Sequence, residues 1–241
     1  MIINRGISHR HFSTGDYILG ESSSSSSSSS SSAANEDDEG KEDRKILEQS
    51  LDWLRRSVIG LSLCPFAEKP LMQQTLSMEV VHGSEQVEIL ASVLSECLRR
   101  QKRKGTSLII CPDLFPENFV AFLEITQMVE GLLDDWDLDG DLQVAHFHPK
   151  FEFDGSGDGI DNYTNRSPYP TLHILREEEV SVAVESISGD ASKVWKRNVR
   201  LLETLEEKIG RPATEQVARG EFVDQEIQNQ VEAILKGLKK S

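Results

Sequence analysis

The sequence predicts a single α/β domain with a mixed sheet of about four strands covered by helices, followed by a C-terminal helical extension. Two observations carry this prediction. Helical patterns and short apolar strands alternate over residues 46–142, which favours parallel strands joined by helical crossovers. The last two predicted strands have no helix between them, so the sheet is expected to be mixed rather than purely parallel.

The composition excludes several classes of protein. The chain of 241 residues has 41 acidic and 26 basic side chains, a net charge of −15. An acidic chain binds phosphate backbones and anionic membranes poorly, so neither nucleic acid nor a membrane is an expected partner. No apolar run is long enough to span a bilayer. The three widely spaced cysteines indicate a reducing compartment rather than a disulfide framework.

Residues 1–44 are predicted to be a disordered tail. Serine fills residues 22–32, and the acidic run Glu36–Glu39 follows shortly after. A segment without an apolar face cannot offset the entropy lost on ordering. Residues 1–20 are rich in Arg and Ser and poor in acids, which is a weak transit-peptide pattern. We therefore expect a cytoplasmic protein, with import into a mitochondrion or plastid as the alternative.

Hydrophobic periodicity locates the first half of the core domain, which is predicted over residues 45–212. Apolar residues at helical spacing predict a helix over residues 46–60, and alternation predicts a strand over Leu76–Val81. A second helix begins near Ser84 and ends before Gly105, a suitable C-cap. The unbroken apolar run Leu108–Ile110 then indicates a strand buried on both faces.

The second half of the domain continues the pattern. Pro116 suits the first turn of a helix that extends to Leu133. Alternation over Leu142–His148 predicts a strand, and Thr171–Leu175 is the next candidate. Two C-terminal helices are predicted, one up to Ile209 and one in the extension formed by residues 213–241.

The first segment with reactive side chains is Leu61-Ser62-Leu63-Cys64-Pro65-Phe66-Ala67. Because proline disfavours helical geometry in the residue before it, Cys64 is expected in an extended turn after the first helix, where its sulfur can face a cleft. The alternative is a buried cysteine that acts as a small apolar residue. Cys97 and Cys111 fall on apolar elements and are expected in the core.

The second segment contains two histidines on one predicted strand. His146 and His148 are two residues apart, so their imidazoles point to the same side and suit either acid/base chemistry or metal binding. A metal would need a third ligand, which His173, Cys64 or an aspartate of the following loop could supply. The alternative is one buried structural histidine and one at the exposed end of the strand.

The third segment is Asn165-Arg166-Ser167-Pro168-Tyr169-Pro170. Two prolines stiffen a stretch that carries an amide, a guanidinium, a hydroxyl and a phenol. A rigid mount for polar groups suits anion recognition, and a guanidinium can bind a carboxylate or phosphate through two parallel hydrogen bonds. The alternative is a surface turn in which Arg166 makes an ordinary ion pair.

Taken together, three segments resemble the uncharacterised family catalogued as domain of unknown function 1415. The segments are Leu61–Ala67, Gln143–Pro149 and Asn165–His173, and the likeness covers about residues 46–209. The resemblance implies a compact α/β protein. It implies no established activity.

The residue types lead us to expect a soluble enzyme that acts on a small polar or anionic metabolite. Cys64 would be the nucleophile or redox-active thiol, and His148 the general acid/base with His173 as its partner. The expected substrate-binding residues are Asn165, Arg166, Ser167 and Tyr169. One alternative is a noncatalytic ligand- or protein-binding module in which the same motifs are structural. Another is a metal-dependent hydrolase that uses His146 and His148; no other cofactor is expected.

Overall fold

The computed structural model describes residues 12–13, 33–83, 85–186 and 191–238. The strands are β1 (Phe12–Ser13), β2 (Leu76–Val80), β3 (Thr106–Ile110), β4 (Leu142–Phe147) and β5 (Thr171–Arg176). The helices are α1 (Ala33–Trp53), α2 (Glu68–Met72), α3 (Gln86–Lys102), α4 (Phe119–Asp135), α5 (Glu177–Ser186), α6 (Ala191–Ile209), α7 (Arg211–Ala218) and α8 (Gln225–Leu238). A π-helical stretch, Leu54–Ile59, continues α1, and a 3-10 helix, Ile160–Thr164, lies between β4 and β5.

The sheet is mixed, and the predicted α/β class is confirmed. Its strand order is β1-β2-β3-β5-β4. β2 and β3 are parallel and joined through α3, whereas β5 runs antiparallel to both β3 and β4. The carboxyl ends of β2, β3 and β4 therefore lie at one edge of the sheet, beside the first residues of β5. We call this edge the carboxyl edge.

Both faces of the sheet are covered because its strands carry apolar residues in both directions. One face packs against α3 and α4 through residues such as Ile109, Val144 and Leu172. The other face packs against α1, and its residues include Leu108 and Phe147. Successive residues along a strand alternate between these two clusters, as the pleat requires.

Helix α1 crosses the carboxyl edge from β2 toward β4. Its Asp43 reaches His82 just after β2, and its Gln49 accepts a hydrogen bond from the hydroxyl of Tyr169 just before β5. Trp53 then packs edge-on against Phe147 at the end of β4, with ring centroids 5.2 Å apart. The helix begins at Ala33, inside the segment that the composition assigns to the tail, so the acidic run of residues 36–39 is helical. The serine run lies outside the described residues.

The C-terminal helices form a third apolar cluster together with the 3-10 helix and the loop before Cys64. Gly220 has a φ of +73°, and a Cβ there would lie 2.8 Å from the Cα of Trp53, so the close approach of this region to α1 requires glycine. The hydroxyl of Ser57 adds a hydrogen bond of 2.6 Å to the carbonyl of Ala218. Among the described residues, no helix is long and apolar enough to cross a membrane.

Candidate functional site

Two of the three segments singled out in the sequence meet at the carboxyl edge. His148 follows β4, the loop carrying Arg166 leads into β5, and the N–H of His148 donates to the carbonyl of Asn165 at 3.2 Å. This common location follows from the topology, because β5 runs against its two neighbours. Cys64 packs instead against the apolar cluster between α1 and one face of the sheet. The candidate site is described from these residues outward.

Cys64 lies in a firmly fixed turn. Arg197 of α6 donates hydrogen bonds to the carbonyls of Leu61 and Ser62, at 2.8 and 2.9 Å. The side-chain amide of Asn198 donates to the backbone carbonyl of Leu63 at 2.7 Å. Burial raises the pKa of the Cys64 thiol, although hydrogen bonds from the backbone N–H groups of Phe66 and Ala67 act in the opposite direction. Cys64 is partly exposed, in contrast to the buried Cys97 and Cys111.

The imidazole of His148 is fully buried and bonded to backbone on both sides. Its Nδ1 accepts the N–H of Lys150 at 3.0 Å, so the proton resides on Nε2, which donates to the carbonyl of Phe115 at 3.0 Å. Burial lowers the pKa of His148 from 6.5 to about 4. A neutral ring with both nitrogens engaged holds the end of β4 against the loop after β3.

The three histidines named in the sequence do not converge. His146 lies opposite Leu172 in the register of β4 and β5, whereas His173 lies opposite Ala145, so the two side chains are on opposite faces of the sheet. The Nε2 of His173 is 2.7 Å from the hydroxyl of Thr106, and burial lowers the pKa of His173 to about 4. Within the described ranges, no group of three His, Cys, Asp or Glu residues could hold a metal ion.

Arg166 is fixed on two sides. Its Nε donates to the carbonyl of Phe151 at 3.1 Å, and its guanidinium carbon lies 4.4 Å from the ring centroid of Tyr163. In the part of the chain that the structure describes, its two terminal amino groups have neither a carboxylate nor a hydrogen-bond partner. The side chain is partly exposed. Tyr163 was not identified from the sequence, because only the 3-10 turn brings it beneath the guanidinium.

The neighbours of Arg166 in the loop are Asn165, Ser167 and Tyr169, whose side chains make hydrogen bonds of their own. Ser167 donates to the carbonyl of Tyr169 at 2.6 Å, and the hydroxyl of Tyr169 is bonded to Gln49 of α1. The carbonyl oxygen of the Asn165 side chain accepts from Thr164 at 3.1 Å, while its amide nitrogen has no partner among the described residues. Asn165 is 1 % exposed, so Arg166 is the residue of this pair whose unpartnered N–H groups lie on a partly exposed side chain.

Sequence reasoning missed an Asp-His-Asp bridge at the carboxyl edge. Nδ1 of His82 is 2.9 Å from Oδ2 of Asp113, and its Nε2 is 2.7 Å from Oδ1 of Asp43. Burial alone would lower the pKa of His82, but the hydrogen bonds and charges of Asp113 and Asp43 raise it. His82 and Asp113 lie within three residues of the ends of two predicted parallel strands, and that position is the signal that could reveal them.

A second missed group is the buried ionic cluster between α3 and the sheet. Glu96 accepts hydrogen bonds from Ser107 and from Arg100, and its second oxygen lies 2.5 Å from the guanidinium of Arg99. Burial raises the pKa of Glu96, although these partners act in the opposite direction. The cluster explains part of the basic run at the end of α3, since two of its arginines neutralise an internal carboxylate.

The amino-acid sequence matches a protein-family model over most of its length. The family model described as "Protein of unknown function (DUF1415)" matches residues 45–211. The chain belongs to this family. The match includes Cys64, His148 and the loop that carries Arg166, and it ends at the start of α7. No significant match was found among curated proteins or among solved structures.

Proposed function

We propose that this DUF1415 protein binds a small organic anion at the carboxyl edge of its sheet, with Arg166 as the anchor. The observation that carries the proposal is the state of the Arg166 guanidinium, which is bonded to Phe151 at one nitrogen and stacked on Tyr163, yet has no carboxylate partner among the described residues. Its terminal N–H groups fit a carboxylate or phosphate.

An arginine that is held by a backbone carbonyl and stacked on a ring, yet has no acid partner, is notable in a chain with a net charge of −15. Two other arginines stacked on aromatic rings are paired with acids: Arg56 lies 3.7 Å from Asp52, and Arg219 lies 3.1 Å from Glu215. Arg166 thus resembles these residues in its stacking and differs from them in its charge environment. A cation that is already fixed loses little conformational entropy when it binds an anion, which favours affinity.

The position of the Arg166 loop at the carboxyl edge gives independent support to the anion-binding proposal. Ligands of open α/β sheets bind outside the carboxyl ends of the strands, and the loop of Arg166 lies there. Asn165 lies on the same loop, but its side chain is buried. Ser167 and Tyr169, which we expected to contact the substrate, support the loop through their own hydrogen bonds.

The test is a thermal-shift series with phosphate, acetate and benzoate. We expect the wild-type protein to gain thermal stability with at least one of these anions, because a ligand that binds only the folded state stabilises it. R166Q should lose the shift, and R56Q, which removes the stacked but paired arginine, should keep it. A wild-type protein insensitive to all three anions, or an R166Q variant with an undiminished shift, would contradict the proposal.

A thiol enzyme is the second candidate, and one observation favours it. Cys64 is partly exposed and its sulfur receives two backbone N–H groups, an arrangement that can stabilise a thiolate. Against it, burial raises the pKa of Cys64, and both nitrogens of His148, the expected base, are bonded to backbone. His173, the expected partner of His148, contacts Thr106 instead.

Thiol labelling separates the two candidates. If Cys64 were a catalytic thiol, iodoacetamide at neutral pH would modify it much faster than an unperturbed cysteine. We expect slow modification of Cys64, in line with its raised pKa, and none of the buried Cys97 and Cys111 in the folded protein. Fast and selective alkylation of Cys64 would favour the enzyme.

A further inference from the structure

The imidazole of His146 is a second polar group without a hydrogen-bond partner among the described residues, and Phe151 connects it to Arg166, the proposed anion anchor. The imidazole of His146 is 5 % exposed, and its Nδ1 is buried without a partner. No hydrogen bond to the ring is present within the described residues. The ring is surrounded by those of Phe119, Phe122 and Phe151, with centroids 6.3, 6.1 and 5.9 Å away. We call these four residues the aromatic cluster.

An unpaired buried nitrogen is costly and needs a physical reason. It destabilises a fold by about 1–3 kcal/mol, and natural proteins leave few such groups. The neighbouring His148 has both of its nitrogens bonded to backbone, so this end of β4 can satisfy a histidine completely. A phenylalanine or leucine at position 146 would fill the same apolar surroundings without that cost. Other buried atoms of the described residues, such as Nδ1 of His173, also have no partner. The open nitrogen of His146 therefore matters through its position beside Phe151 and the loop of Arg166, where an external partner could satisfy it.

The aromatic cluster is continuous with the anion anchor through Phe151. The backbone carbonyl of Phe151 accepts the hydrogen bond from Arg166, while its ring packs against His146. Phe119 is partly exposed, and the partly exposed Phe153 lies against Phe151 with ring centroids 4.8 Å apart. The partly exposed rim of the cluster, formed by Phe119 and Phe153, thus adjoins the segment whose carbonyl holds the guanidinium.

We propose that His146 selects the ligand, by hydrogen bonding to a hydroxyl group on an aromatic carboxylate whose anionic end is bound by Arg166. This inference rests on the proposed function and specifies its ligand class. Phenylalanine rings favour an aromatic body over an aliphatic one, because aromatic rings stack and meet edge to face. Burial lowers the pKa of His146 to about 4, so the ring is neutral and offers one donor and one acceptor. A hydroxyl, which both donates and accepts, complements such a ring.

The test is calorimetric titration with matched pairs of ligands. Benzoate, phenylacetate and phenylpropanoate are each compared with their para-hydroxy derivatives, so that the length between carboxylate and hydroxyl varies. We expect at least one hydroxylated member to bind the wild-type protein about tenfold more tightly than its partner. H146F should bind both members of that pair equally, whereas R166Q should bind neither.

Stability supplies the second readout. H146F should be as stable as the wild-type protein or more stable in urea unfolding, because it removes the unpaired nitrogen and retains the ring packing. If every pair binds the wild-type protein without preference for the hydroxyl, or if H146F keeps the preference, the inference fails while the proposed function stands. If no aromatic anion binds at all, the ligand class is wrong; the thermal shifts with phosphate and acetate then decide whether the proposed function also fails.

Discussion

At the scale of single residues, His146 and His148 show how neighbouring positions of one strand acquire different roles. Their spacing predicts that they face the same side, and both do pack against Phe119 and Phe122. The environment then separates them, because backbone groups bond both nitrogens of His148 and leave those of His146 open. Residue type and spacing therefore indicate where polar chemistry lies, while the hydrogen bonds decide which residue can take part.

The role of His148 leads to a prediction about stability. H148L should destabilise the fold by about 2–4 kcal/mol, because it deprives the partly buried carbonyl of Phe115 and N–H of Lys150 of their side-chain partner and removes a well-packed ring. Urea unfolding measures this loss, and H146F is the matched control that should show none. If H148L folded as stably as the wild-type protein but lost a catalytic activity, His148 would be a catalytic residue rather than a structural one.

Arg166 illustrates a different case, in which the sequence draws attention to a residue but not to the contacts that hold its side chain. The two prolines predict a stiff loop, and the side chain is indeed fixed. Its fixation, however, comes from Phe151 and Tyr163, which the sequence does not connect to it. Such contacts depend on how the loop folds back over the 3-10 turn, and local pattern carries no information about that.

At the scale of elements, periodicity predicts the sheet well and the C-terminal helices only in part. The four longer strands lie where alternation or apolar runs place them, since burial on a pleated face leaves a clear pattern. Hydrophobic periodicity does not reveal helix α5, because its first three residues, Glu177–Glu179, are acidic and too few apolar residues follow to give a clear helical pattern. Helix α7 was missed because Gly210 and Pro212 were interpreted as the end of one helix, whereas the proline also begins the next.

The Asp-His-Asp bridge connects α1 to the sheet and makes that connection dependent on pH. A neutral imidazole has one N–H and can donate to only one of Asp43 and Asp113, whereas the protonated ring donates to both. Because the pKa of His82 is raised in the folded state, its contribution to stability is complete below about pH 6.5 and is lost as the pH rises through that raised pKa.

Hydrogen exchange measures this effect directly. We expect the amides around Asp43 in α1 to be less protected at a pH above the raised pKa of His82 than at a pH below about 6.5, after correction for intrinsic exchange rates. H82Q should show weaker protection at the lower pH and little further change. Glu85 and Glu88 lie close to His82 in sequence, so E88Q is a suitable control for general charge effects. A protection of α1 that is the same at both pH values in the wild-type protein would contradict the interpretation.

At the scale of the whole molecule, the topology concentrates the polar features at one edge. Because β5 runs against β3 and β4, loops far apart in sequence meet at the carboxyl edge, and α1 crosses it from His82 to Phe147. The sequence predicts the fold class because alternation of elements is a local property. It does not predict the site completely, since the bridge at His82 joins residues 31 and 39 positions apart.

The net negative charge of the chain can be related to the ion pairs that its acidic side chains make. Many of the basic side chains are matched with acids, for example Arg211 with Glu206 and Glu215 and Arg99 with Glu96. Arg166 differs from these residues because its guanidinium is held by a carbonyl and stacked on a ring without a carboxylate among the described residues. This contrast is the central reason for assigning anion binding to the loop of Arg166.

The most direct test of that assignment is calorimetric titration of benzoate into the wild-type protein and R166Q at low ionic strength. We predict measurable binding to the wild-type protein and an affinity lower by at least about tenfold in R166Q, the loss expected when a charge-assisted hydrogen bond is removed. R56Q should bind as the wild-type protein does. Equal affinities in the wild-type protein and R166Q would contradict the account.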